Sequence, residues 1–171
     1  SALFRRSQYP SGFRLPPAAD GKGYALAQWA HDGGYPRAAA VFGSDIGAQS
    51  DVPTLVTAFE KLGGRIVSNQ KIALDQSSYR TEVTRMLAAK PQVIFTEADP
   101  QTDATFLSEL KQLHGLIPVI STETSLQANW LKAVGGAIGE PDLTQFVTGM
   151  QPYAPTTGPA WKAYNKALLA S

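Results

Sequence analysis

The chain has 171 residues, no cysteine and a net charge of +1. That length suffices for one α/β domain with a buried core. Without cysteine, disulfides, thiolate metal sites and cysteine nucleophiles are excluded. The near-neutral charge leaves no electrostatic footprint for nucleic acid or anionic lipid. No apolar run is long enough to cross a bilayer. The chain opens Ser1-Ala2-Leu3-Phe4-Arg5-Arg6, with no signal-peptide pattern. This is expected of a mature start or of a piece cut from a longer protein.

Pro10, Pro16 and Pro17 predict an extended lead-in over 1–20, with room for a strand around 12–15. A helix fits from Gly21, with Leu26, Trp29 and Ala30 on one face and Gly33-Gly34 as its stop. Residues 38–42 form an uncharged apolar run, read as a buried strand, and Gly43-Ser44-Asp45-Ile46-Gly47 breaks it. Val52, Leu55, Val56, Phe59 and Leu62 then recur at helical spacing up to Gly63-Gly64. Residues 65–72 alternate apolar and polar, as in a strand nearer a sheet edge.

Asp75-Gln76-Ser77-Ser78 is predicted to cap a helix with Val83, Met86 and Leu87 inward, ending at Lys90-Pro91. Val93-Ile94-Phe95 reads as the third strand, and Glu97-Ala98-Asp99-Pro100 as the turn after it. Phe106, Leu107, Leu110 and Leu113 give a helix stopped at Gly115. Pro118-Val119-Ile120 is the fourth strand, followed by Ser121-Thr122-Glu123-Thr124-Ser125. Leu126, Trp130, Leu131 and Val134 mark a helix closing at Gly135-Gly136, and 146–150 reads as a fifth strand. Pro152, Pro155 and Pro159 mark a linker, and Trp161, Tyr164 and Leu168 share one face of a last helix.

Strand and helix therefore alternate about five times, which predicts an α/β three-layer sandwich around a mainly parallel sheet of about five strands. Right-handed crossovers put the C-terminal strand ends along one edge, where open α/β sheets bind ligands. Ser44, Asp45 and Ile46, then Glu97, Ala98 and Asp99, then Thr122 and Glu123, fall there. Their carboxylates could accept an ammonium, and their hydroxyls and nearby helix N-termini could hold a carboxylate or sugar. Asp and Ser are also favoured helix caps, so Ser44, Asp45, Asp99 and Ser125 fit either role. Glu is a poor cap, which makes Glu123 the more pointed ligand candidate.

Enzymatic readings find little support. Gly43 and Gly47 flank three non-glycines, so no dinucleotide fingerprint exists, and no phosphate loop ends in Gly-Lys-Ser/Thr. Asp45 and Asp99 imitate part of a phospho-accepting receiver, but no lysine follows the fifth strand. Ser44 lacks a nucleophile-elbow sequence. His31 and His114 sit near helix ends without clustered partner ligands, which favours contact with the last carbonyls over catalysis or metal binding. No cofactor is expected. A small flavodoxin-like enzyme or receiver domain remains the reading from another class.

Phe13-Arg14, Pro17, Gly23, Ala25-Leu26-Ala27, the strand ending Val41-Phe42 with Gly47 after it, and Leu62-Gly63-Gly64 carry a resemblance. Gln76-Ser77-Ser78-Tyr79, Pro91-Gln92-Val93-Ile94-Phe95, Gly135-Gly136 and the tail Pro152-Tyr153-Ala154-Pro155 with Gly158-Pro159-Ala160 extend it. In order and spacing, over about residues 13–170, the chain resembles the second lobe of type I periplasmic solute-binding proteins. The nearest group is the branched-chain amino acid (Leu/Ile/Val) receptors of ABC transporters. The resemblance implies a Rossmann-like lobe at 1–151, with 152–171 returning to a second lobe outside this chain. It implies a receptor working outside the cytoplasm, with an amino acid or analogue as ligand and ABC permease subunits as partners. A sensor without transport is the alternative. The C-terminal helix, parted from its usual partner, could form a dimer. Glu123 stands where amino-acid receptors place an acid for the ligand's ammonium. Ile46 and Ala98 stand where they usually place aromatics, which departs from a leucine-like pocket.

Overall fold

The computed structural model describes residues 19–150 and, in the tail, residues 158, 159, 162, 163 and 166. The strand expected around 12–15, Pro152 and Pro155 of the linker, and Trp161, Tyr164 and Leu168 of the last helix lie outside the described residues. So does the dimer contact proposed for that helix.

Among the described residues the elements run α1 (Ala19–Asp32), β1 (Arg37–Gly43), α2 (Ile46–Lys61), β2 (Arg65–Ile72), α3 (Arg80–Ala88), β3 (Val93–Glu97) and α4 (Pro100–Gln112). There follow β4 (Val119–Ser121), a 3-10 turn (Glu123–Leu126), α5 (Ala128–Ile138), α6 (Glu140–Phe146) and β5 (Val147–Gly149). The five strands form one sheet in the order β2-β1-β3-β4-β5. Every neighbouring pair is parallel. β1 and β3 are central and buried along nearly their whole length, which is why they read as continuous apolar runs. β2 is an edge strand and keeps its polar alternation.

Side-chain alternation divides the core in two. Ala38, Ala40 and Phe42 of β1, with Val93 and Phe95 of β3, face Leu26, Ala27 and Ala30 of α1 and Leu55 and Phe59 of α2. Ala39, Val41 and Ile94 point the other way, onto α3, α4 and α5 through Met86, Phe106, Leu107, Leu110, Trp130 and Val134. α1 and α2 lie unusually close. A Cβ on Gly23 would stand 2.6 Å from the backbone nitrogen of Leu55, so only glycine permits this approach.

Several expectations change. The helix at Gly135-Gly136 does not stop there but continues to Ile138; the break falls at Gly139, whose φ of +89° suits glycine. Lys111 Nζ fixes that break, donating to the Ile138 carbonyl at 2.5 Å and meeting Asp142 at 2.8 Å. The unpredicted α6 then takes up Phe146 and leaves β5 three residues long. Of residues 75–78 only Ser78 serves the start of α3, its Oγ accepting the Arg80 amide at 3.3 Å, while Tyr79 occupies the cap position without a side-chain cap bond of its own. Glu109 of α4 serves that end from outside, accepting from Ser78 Oγ and the Tyr79 amide at 2.6 Å each. His114, not Gly115, takes the left-handed conformation after α4, with φ of 54°. Leu126, Leu131 and Trp29 are exposed, because the stripes that turn inward run through Leu26 and Ala30 on α1 and through Trp130 and Val134 on α5.

Candidate functional site

With all strands parallel, β1, β3 and β4 end at the same edge of the sheet and deliver residues 44–46, 97–99 and 122–124 there. An open cleft of about 300 Å³ lies at this edge, with Asp45, Glu97, Ala98 and Asp99 in its wall. Four sequence candidates thus line one cleft. Ser44, Ile46, Thr122 and Glu123 share the edge but are not part of that wall. Ile46 is 74% exposed, whereas Thr122 is buried and exchanges a hydroxyl hydrogen bond with Thr124 at 3.1 Å. Leu74, Pro100, Thr124, Gln127 and Trp130 complete the wall; Pro100 and Thr124 belong to the expected edge turns, whereas nothing in the local spacing marked Leu74 or Gln127 as lining it.

The capping role of the two aspartates is realised. Asp45 Oδ1 accepts the Ala48 amide at 2.9 Å at the start of α2. Asp99 Oδ1 accepts the Gln101 and Thr102 amides at 3.0 and 3.1 Å at the start of α4. Ser125 is no cap; its Oγ donates back to the Thr122 carbonyl at 2.9 Å. His31 Nδ1 lies 3.2 Å from Asp32 Oδ1, and among the described residues no acid–histidine group could hold a metal.

The strongest electrostatic feature escaped the sequence reading. Lys22 of α1 reaches into the edge, and its Nζ stands 2.7 Å from Asp51 Oδ2, 3.4 Å from Glu97 Oε2 and 3.5 Å from Glu123 Oε1. These acids come from α2, from the end of β3 and from the turn after β4. Burial alone would lower the Lys22 pKa; its hydrogen bond to Asp51 and the charges of Glu97, Asp51 and Glu123 raise it, so the ammonium stays charged. Asp51 is closed to solvent, and burial, then the neighbouring Glu97 carboxyl, pushes it up to about 7 against the pull of the Lys22 ammonium. Glu123 Oε2 is closed to solvent and has no hydrogen-bond partner among the described residues.

A second buried acid holds the opposite wall. Asp103 of α4 accepts the Trp130 indole N–H at 2.8 Å and the Thr96 hydroxyl at 3.0 Å. Burial pushes Asp103 up to about 7, against these hydrogen bonds and that of the Ala98 amide. The side chain of α4 thereby fixes the indole that forms part of the cleft.

Fold and site define a class: an open parallel α/β lobe with a polar cleft at its C-terminal strand edge. More particularly, the chain belongs to the periplasmic binding protein family, whose model matches residues 2–170. It corresponds to one lobe of a type I periplasmic binding protein. No curated protein matches it significantly. Among solved structures it is similar to a Rhodospirillum rubrum protein assigned to branched-chain amino acid ABC transport: 17% identity, TM-score 0.72, 93% of this chain and 45% of that one. An extracellular ligand-binding receptor from Rhodopseudomonas palustris HaA2 has 18% identity and TM-score 0.68, over 77% of this chain and 35% of that one. A solute-binding protein of an R. palustris ABC transporter, in complex with benzoate, has 14% identity and TM-score 0.66, over 89% of this chain and 41% of that one. The chain spans less than half the length of each.

Proposed function

We propose that this chain is the ligand-binding lobe of a solute-binding component that works outside the cytoplasm and feeds an ABC importer. Its solute is a small organic molecule, an amino acid or a related small acid. The observation that carries the reading is the cleft at the shared strand edge, with Glu97, Ala98, Asp99 and Trp130 in its wall. Solved structures similar to the chain are a branched-chain amino acid transport protein and a benzoate complex, which supports this range of solutes. The task is capture, not reaction. A solute bridging this lobe and a second one shifts the population toward a closed form, and that form is what a permease would recognise.

A thermal-shift screen of the two-lobe receptor against amino acids, amides and aromatic acids tests this. Specific solutes raise the melting temperature, since they bind only the folded state. A receptor that no small solute stabilises overturns the reading. This lobe alone binds the same solute at least a hundredfold more weakly, having lost half the contacts.

A further inference from the structure

Lys22 is the one described side chain that places a cation at the strand edge among the acids gathered there. Its neighbours are arranged so that Asp51, closed to solvent, makes the short contact of 2.7 Å and anchors the ammonium. Glu97 and Glu123 then reach the same nitrogen at 3.4 and 3.5 Å. Of the two Glu123 oxygens, Oε2 is shut away from solvent, and Oε1 is the one Lys22 approaches. Side chains from α1, α2, β3 and the turn after β4 thus converge on a single internal ammonium. A ligand amine on Glu123 would have to share Oε1 with a fixed like charge a few ångströms away, which is unfavourable in a partly buried site.

We propose that Lys22 is a specificity-determining residue: its ammonium fills the acidic seat of Glu97 and Glu123, so the receptor selects small organic solutes that present no amine to this lobe. The inference rests on the receptor reading and narrows its solute class. The solute meets instead the apolar groups of the cleft, Leu74, Ala98 and Trp130, which stand among Asp45, Glu97 and Asp99 in its lining. Gly23 belongs to the same device, because the close approach of α1 to α2 brings Lys22 against Asp51. An acid of this class would direct its carboxylate away from the acidic edge, toward the facing lobe.

The test is calorimetric titration of the two-lobe receptor with matched pairs differing only in the α-amine: 3-phenylpropanoate against phenylalanine, and 4-methylpentanoate against leucine. The wider solute panel is scored the same way. Amine-free members bind at least tenfold more tightly than their amino counterparts, and Lys22→Gln shifts that ratio at least tenfold toward the amines. Lys22→Gln leaves Asp51 unpaired and could unfold the lobe, so the double variant Lys22→Gln/Asp51→Asn, which removes one charge of each sign, is measured beside it. A native receptor that prefers the amino member of a pair, or binds only amine-bearing solutes, overturns the inference and leaves the receptor reading standing. An unchanged ratio in both variants also overturns it. Binding of no small solute at all overturns the receptor reading itself.

Discussion

Two aspartates lie closed to solvent beneath the cleft, one on each face of the sheet, and burial pushes both up to about 7. Their partners differ. Asp103 is cradled by donors that carry no formal charge, the Trp130 indole, the Thr96 hydroxyl and the Ala98 amide. Asp51 faces the Lys22 ammonium and the Glu97 carboxyl. β3 makes the division in two consecutive residues, since Thr96 turns to Asp103 and Glu97 to Lys22. A cradle of neutral donors fixes a wall. An ion pair fixes a charge, and that charge extends to Glu123 at the edge. Equal burial thus gives one face its shape and the other its electrostatics.

The largest expected effect breaks the ionic side. Lys22→Met leaves Asp51 and Glu97 without their cation, and the loss of a buried partner costs about 3–5 kcal/mol. Urea unfolding of this lobe measures it. If the cost is no greater than that of Trp130→Phe below, the two faces are not energetically distinct.

pH comes next. The unfolded aspartates lose their protons near pH 4, while the folded ones hold them to about 7. The native state therefore binds more protons between these values, and stability falls as pH rises through that window. For Asp103 the loss from pH 5 to pH 8 is roughly 3 kcal/mol, and Asp51, beside Glu97 and Lys22, shifts in the same direction. Asp103→Asn and Asp51→Asn should each reduce the slope in unfolding measured across pH. A slope that survives both substitutions assigns the linkage elsewhere.

Trp130→Phe is smaller. It keeps most of the apolar volume and removes one of Asp103's donors, for about 1–3 kcal/mol. It also loosens the indole wall, so solute affinity of the two-lobe receptor should fall with it.

These buried groups explain what the sequence did and did not reveal. Parallel order, two-sided burial and the shared strand edge follow from apolar runs such as residues 38–42 and 93–95 alternating with helical stripes. The misplaced charges were also written there. Lys22 stands four and eight residues before Leu26 and Ala30, on the inward stripe of α1. Asp51 stands in the same relation to Leu55 and Phe59, and Asp103 precedes Phe106, Leu107 and Leu110 by three, four and seven residues. A charge on an apolar stripe signals a buried partner. Which partner it meets depends on how α1 lies on α2, and that is set by contacts such as Gly23 against Leu55, which no local pattern encodes. The lining by Leu74, Gln127 and Trp130 escaped for the same reason. The α5–α6 break escaped because Gly135-Gly136 is a stronger local stop signal than Gly139, yet Lys111 and Asp142 hold the turn at Gly139.

The smallest contrast lies between the buried aspartates and the two that cap helices at the edge. Asp45 and Asp99 each spend one oxygen on the amides of the following helix, and removing such a cap costs about 1 kcal/mol. Asp45→Ala and Asp99→Ala should each lower stability by about that amount, while the Asn variants, which keep the accepting oxygen, should stay within about 0.5 kcal/mol of the native protein. The Asp45 changes should leave the pH slope as it is, whereas the Asp99 changes should reduce it slightly, because the Asp99 charge adds to the upward push on Asp103. The Asn variants then isolate charge from structure. Whatever affinity the two-lobe receptor gains or loses in Asp99→Asn reports the field a solute feels at the cleft, with the helix start intact. An Asn variant as unstable as its Ala counterpart would show that the carboxylate charge at the helix start, not the cap hydrogen bond, supplies the stability.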